Sequence, residues 1–266
     1  MAELNAQSSP PPRGIHLTLS GKGGVGKSVV ARLVAEFLED QGDPPRCFDA
    51  DPVNASFAAV PAFDARKVAL LNADQKIDSS LFDAMIEEIL AAERSVVIDS
   101  GAASYLALIA YLEENDIVDL FKAHGFQVYL HTIITGGAAV TFTTQNFTDV
   151  AERFGERASV VVWLNHFGEI VERDGKPFAE WRAYIANQDR VGAVIEIPKM
   201  SSDTMAADFS AMLKANLSMA EASDPHSSFR IMQRSRLFKI RKAMFEAMTV
   251  MAPQTSARKK ASEAAA

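Results

Sequence analysis

One cysteine, Cys47, stands in 266 residues, so the chain can neither close an internal disulfide nor supply a four-thiolate metal site. A lone thiol fits a reducing compartment, and a cytoplasmic location is expected. The five histidines, His16, His124, His131, His166 and His226, show no i, i+4 or paired-cysteine spacing, which leaves no zinc pattern. No apolar run approaches the roughly 18 residues that a membrane span needs. Residues 1–13 lack the apolar core of a signal peptide and, with Pro10-Pro11-Pro12, read as a flexible leader. Net positive charge is absent too: the formal charge is −7, which excludes a uniformly basic nucleic-acid binder. That charge is unevenly placed. Residues 228–266 carry nine basic side chains against Glu246 and Glu263, a net of +7, so the remainder holds −14. Such asymmetry points to a charged partner for the late region.

What is present centres on Gly21-Lys22-Gly23-Gly24-Val25-Gly26-Lys27-Ser28. The stretch satisfies the P-loop pattern and sits between a strand-like run, 15–20, and an amphipathic helix beginning near Ser28. A triphosphate needs a concave array of backbone N–H groups, which Gly21, Gly23, Gly24, Val25 and Gly26 can line with little side-chain obstruction. The following helix aims its positive end at the anion, Lys27 adds a point charge at the β and γ phosphates, and the Ser28 hydroxyl is suited to Mg²⁺. Residues 46–48 form a short strand that exits into Asp49-Ala50-Asp51-Pro52. In a parallel sheet its mouth lies at the same edge as the P-loop. Residues 95–99 form an apolar strand ending in Asp99, placed to bracket Mg²⁺ against Ser28. ATP and Mg²⁺ are therefore the expected cofactors.

Lys22 begins a resemblance. Lys22-Gly23-Gly24-Val25-Gly26-Lys27-Ser28 is similar to the deviant Walker A motif, K-G-G-x-x-G-K-[ST], of ParA and MinD ATPases, and Asp49-Ala50-Asp51-Pro52 resembles that class's second aspartate motif. The resemblance implies that Lys22 reaches the partner's phosphates in an ATP-bound homodimer. It implies that Asp51 orients the attacking water and that Asp49 binds the Mg²⁺ shell through water. Asn165, at the exit of strand 159–165, resembles the base-reading asparagine, a strand-end cap being the other reading. Pro198 resembles the proline beside adenine. Asn54-Ala55-Ser56 resembles G-N-A-T without its glutamine and glycine, and Ser100-Gly101-Ala102 departs from the usual continuation after the third aspartate; the Gly101 N–H is the candidate γ-phosphate sensor. Stretches such as 131–137 and 162–165 and the late basic helix resemble the conjugal-transfer branch of the class, the TraL proteins. That likeness implies a role beside the DNA-processing (relaxosome) machinery of plasmid transfer, with a relaxosome protein or DNA as partner.

The repeating βα pattern predicts one doubly wound, mostly parallel α/β sheet with helices on both faces. Expected bounds are a domain over 14–251, including a basic C-terminal helix at 228–251, and a disordered tail at 252–266. A short edge strand is expected at 67–71. An insertion at 168–178 carries Asp174-Gly175, a type I′ hairpin signal, and Phe178, Trp181, Tyr184 and Ile185 read as a core stripe. In the late helix, Leu237, Ile240, Met244 and Met248 fall on one stripe among basic residues. It either packs on the sheet with a solvated basic rim, lies on a membrane surface, or contacts phosphates. The readings carried forward are a nucleotide-switched ATPase of transfer, partitioning or positioning, and a nucleotide-gated adaptor without significant hydrolysis.

Overall fold

The structure is a computed structural model and describes residues 13–200 and 203–251. The expected leader, apart from Arg13, and the tail at 252–266 lie outside the described residues. Among the described residues seven strands, β1 (Arg13–Leu19), β2 (Arg46–Ala50), β3 (Arg66–Lys67), β4 (Val96–Ser100), β5 (Phe126–Thr135), β6 (Ser159–Asn165) and β7 (Val191–Ile197), form one sheet. Its order is β3-β2-β4-β1-β5-β6-β7, and every pairing is parallel. Two expected bounds are corrected. Arg13 belongs to β1, where its guanidinium donates to the carbonyls of Ala92 and His124. The edge strand expected at 67–71 is instead the two residues 66–67 of β3, and Leu71 bridges antiparallel to Ile77.

Among the described residues nine α-helices cover the two faces: α1 (Lys27–Asp40), α2 (Phe82–Leu90), α3 (Tyr105–Glu114), α4 (Ile117–Ala123), α5 (Val140–Phe154), α6 (Arg182–Asn187), α7 (Met205–Lys214), α8 (Met219–Ser223) and α9 (Ile231–Met248). Strands buried on both faces read as continuous apolar runs, as in Val160-Val161-Val162-Trp163-Leu164, and alternate residues feed two cores. One core gathers Leu17, Ile98, Leu130 and Val162 under α2 to α6. The other gathers Val97, Ile133, Val161 and Trp163 under α1, α7, α8 and α9.

The insertion turns at Asp174 and Gly175, both at positive φ (53° and 70°), with Arg173 bridging antiparallel to Lys176, which is the expected hairpin. Phe178 and Trp181 are buried and Tyr184 packs on them, but Ile185 is 53% exposed. Of the four, only Tyr184 and Ile185 belong to α6, and as consecutive residues they point about 100° apart, so with Tyr184 inward Ile185 faces solvent. Helix α9 packs on the sheet through Leu237, Ile240, Met244 and Met248. Its cations divide: Arg236 pairs with Asp208 at 2.5 Å and Arg241 with Glu36 at 3.0 Å, while Lys239 and Lys242 face solvent.

Glu36 ties three helices together. This buried carboxylate accepts from the backbone N–H groups of Met219 and Ala220, which open α8, and from Arg241 Nε of α9. Burial raises its pKa, and the amides and Arg241 pull it back. Glu36→Ala should therefore lower the unfolding free energy by about 3 kcal/mol, the scale for removing one partner of a buried pair. Arg153→Ala, which removes a surface pair with Glu113, should change it by less than about 1 kcal/mol. Urea denaturation of both variants checks the contrast.

Candidate functional site

The parallel register sets the site. Thr18 of β1 and Asp49 of β2 each pair with Asp99 of β4, so three polar residues lie side by side where three strands leave the sheet. Their loops close a cleft of about 490 Å³ lined by Gly23, Gly24, Gly26, Lys27, Ser28, Asp51, Val53, Asn54, Ser56, Ala102 and Ala103. The P-loop, Asp51 and the loop after Asp99 thus meet as the sequence indicates.

The glycine turn is held from several sides. Gly26 sits at φ +105°, and a Cβ there would stand 3.0 Å from Asn165 Nδ2, so only glycine suits the position. Asn165 Nδ2 donates to Val25 O at 2.9 Å, and its Oδ1 accepts from Phe167 N at 3.0 Å. Both ends of that amide are committed to backbone, which matches the strand-end cap among the two expected readings. Pro198 follows β7 and is exposed. At the other end of the turn, Asn146 Oδ1 accepts from Gly21 N at 3.0 Å.

Lys27 is 7% exposed, and its Nζ donates to Lys22 O at 3.1 Å. Burial lowers its pKa, and the charges of Asp99 and Asp51 oppose that shift. The side chain of Lys22 projects outward and is exposed. Asp99 is 1% exposed; Thr18 Oγ1 donates to its Oδ1 at 2.9 Å, while Oδ2 has no hydrogen-bond partner. Burial pushes its pKa up to about 7, with the Ser28 and Thr18 hydroxyls pulling it down. A buried carboxylate oxygen without a partner beside a serine hydroxyl is a donor set that fits a hard divalent cation. Among the described residues no group of three or more His, Cys, Asp or Glu side chains could hold a metal alone. A cation here would take its other ligands from phosphate and water, as Mg²⁺ does.

Asp49 is engaged differently. Its Oδ1 accepts from Asp51 N, and its Oδ2 from Phe57 N and Ala58 N at 3.0 and 2.9 Å. Burial raises its pKa and the three amides lower it; in this geometry the carboxylate shapes loop 51–58. Asp51 Oδ1 accepts from Val53 N and Asn54 N, which fixes the carboxylate at the loop mouth. Gly101 lies directly behind it: a Cβ there would meet Asp51 Cα at 2.9 Å. The single cysteine is buried in the other core, where burial pushes its thiol up to about 12, so it is chemically inert.

No protein-family model matches the chain. Two TraL proteins of Escherichia coli are 39% and 38% identical to it over 238 and 231 residues, covering 90% and 87% of this chain and 98% and 95% of theirs. The chain belongs to the TraL family. Among solved structures, the MinD cell division protein of Aquifex aeolicus aligns with a TM-score of 0.52 at 14% identity, over 85% of this chain and 97% of that one. The MinC:MinD complex of the same organism gives 0.51 at 11% identity, over 85% and 96%. These likenesses show the fold alone: the TraL-family chain has the P-loop NTPase α/β fold seen in MinD.

Four residues that hold the site were not singled out from sequence: Thr18, Arg32, Tyr105 and Asn146. Arg32 left a legible signal, a cation four residues after Ser28 and so on the same face of α1 as that hydroxyl, opposite the stripe of Val30, Leu33, Val34 and Phe37. Tyr105 packs against Gly21, and Asn146 is distant in sequence, so neither had one. The burial of Asp99 yields a pH prediction. Between 3.8, its ordinary value, and about 7, the folded chain holds a proton that the unfolded chain has lost. The contribution of this group to stability therefore falls as pH rises through that window. With EDTA and no nucleotide, Asp99→Asn should raise Tm by on the order of 5 °C at pH 8. The gain should shrink as pH falls below about 7 and vanish only near pH 4, as differential scanning calorimetry would read.

Proposed function

We propose that this TraL-family chain is a Mg²⁺-dependent ATPase that works as a nucleotide-switched homodimer in plasmid conjugal transfer or mobilisation. The observation that carries the reading is the meeting, at one strand edge, of the glycine turn, the buried Lys27 and the unpartnered Asp99 Oδ2. Ser28 and Asp99 would hold Mg²⁺, and Asp49 would act on its water shell as well as on the loop. When bound, that cation neutralises charge developing on the β and γ phosphates.

The chain's own residues divide the remaining work. Lys27 Nζ, now on a backbone carbonyl, exchanges that acceptor for phosphate oxygens. Backbone N–H groups of 21–28, at the start of α1, orient the triphosphate. Asp51 keeps Oδ2 for the attacking water, because Oδ1 is already occupied by two loop amides. Gly101 N–H lies behind Asp51, where the γ-phosphate end would be sensed. The exposed ammonium of Lys22 serves the partner's phosphates, a cation supplied in trans. Asn165 and Pro198 border the base end of the same edge.

The partner is read from the family and from α9. TraL kinship favours the DNA-processing machinery, a relaxosome protein or DNA itself. The rim of Lys239 and Lys242 beside the 55% exposed Phe238 would also suit an anionic membrane surface. No helix among the described residues is long and apolar enough to cross a membrane. A second reading, a nucleotide-gated adaptor without useful hydrolysis, is favoured by the way Asp51 caps its own loop.

Light scattering with ATP, ADP and no nucleotide should show a dimer only with ATP. Lys22→Ala should keep ATP affinity within about threefold but lose that dimer, and Lys27→Ala should weaken ATP binding at least a hundredfold. Unchanged ATP affinity in Lys27→Ala would end this reading. Phosphate release in the presence of DNA or anionic vesicles separates a stimulated ATPase from the adaptor.

A further inference from the structure

Ser56 hydrogen-bonds loop 51–58 to α1 twice. Ser56 Oγ donates to Ser28 Oγ at 2.7 Å, and the Ser56 carbonyl accepts from Arg32 Nη2 at 2.5 Å. Arg32 is only 8% exposed, and its Nε and Nη1 have no hydrogen-bond partner. A guanidinium so deeply placed ordinarily sits on a carboxylate. Here Asp99 and Asp49 act on it through their field only, and its single hydrogen bond is spent on the Ser56 peptide. The side chain is therefore kept in place for the loop.

Ser28 Oγ meets two incompatible demands. It accepts a hydrogen bond from the Ser56 hydroxyl, and it stands beside the buried Asp99 carboxylate as a candidate ligand for a divalent cation. A cation on that oxygen repels a positively polarised hydrogen pointed at the same atom. We propose that Ser56 is a cation-reading residue: its hydroxyl bonds Ser28 when no divalent cation is held and is turned away when one is, with Arg32 keeping the Ser56 peptide on α1 as the pivot. The swing reaches Asp51 by short steps, since Ser56 N donates to Asn54 O at 2.6 Å and Asn54 N donates to Asp51 Oδ1 at 3.0 Å. Loading of the cation would thus be felt at the residue that faces the attacking water.

This inference rests on reading the cleft as a nucleotide and Mg²⁺ site. It has a consequence opposite in sign to that of an ordinary ligand. Because the Ser56–Ser28 bond competes with the cation, removing it must tighten cation binding, by about fivefold for a hydrogen bond of ordinary net strength. The test is a Mg²⁺ titration of the full chain with a saturating fluorescent ADP analogue, in wild type, Ser56→Ala and Ser56→Thr. Ser56→Ala should bind Mg²⁺ about fivefold more tightly, Ser56→Thr should match wild type, and affinity for the analogue in EDTA should stay within twofold in all three. Unchanged or weaker Mg²⁺ binding in Ser56→Ala overturns the proposal. If the wild-type chain bound no analogue in Mg²⁺ or in EDTA, the reading of the cleft would fall first, visibly and before any variant is compared.

Discussion

The structure depends on keeping the Asp99 carboxylate almost dry opposite the glycine turn. A lone carboxylate in that position is unfavourable, and the surrounding residues act to contain it. Thr18 donates to one oxygen, Ser28 flanks it, and Lys27 and Arg32 contribute positive field from α1. The other oxygen is left without a partner. A sheet that buries a charge at its carboxyl edge and leaves half of it unpaired has given up stability at that point, the signature of a site held ready for a ligand.

Helix α1 is the element through which this constraint is balanced. Its first turn carries Lys27 and Ser28, its second carries Arg32 against Ser56, and its third carries Glu36 against α8 and α9. The same helix thus meets the anion-binding loops at one end and closes the second core at the other. Arg241 meets Glu36 and Asp40 of α1 and Arg236 meets Asp208 of α7, so the basic helix α9 is not a free face of charge and only its outer rim is left for a partner.

Much of this was legible in the chain because its signals are local. The glycine turn, Lys27, Ser28 and the acids at strand ends are read within eight residues or at apolar-to-acid boundaries, and parallel topology places all such boundaries on one edge. The asymmetric charge pointed to α9, and Asp174-Gly175 gave the hairpin. What was not legible depends on distance or on register. Asn146 reaches Gly21 from 125 positions away, and Asp49 aligns with Asp99 only through pairing of β2 with β4. Nothing in the local pattern of 67–71 showed that Leu71 would bridge to Ile77 rather than extend the edge strand, and Ile185 is exposed because residues 178–185 are not one helix: a turn at 178–180 precedes α6.

The central claim is that a triphosphate is held by the backbone of the glycine turn. It is tested most directly by amide shifts of the chain labelled with nitrogen-15 at its 14 glycines, with and without ATP and Mg²⁺. The account predicts that Gly23, Gly24 and Gly26 move most and Gly101 next, while Gly42 and Gly125, which precede β2 and β5 at the opposite edge of the sheet, stay in place. Unmoved turn glycines, or a response confined to Gly42 and Gly125, would contradict it.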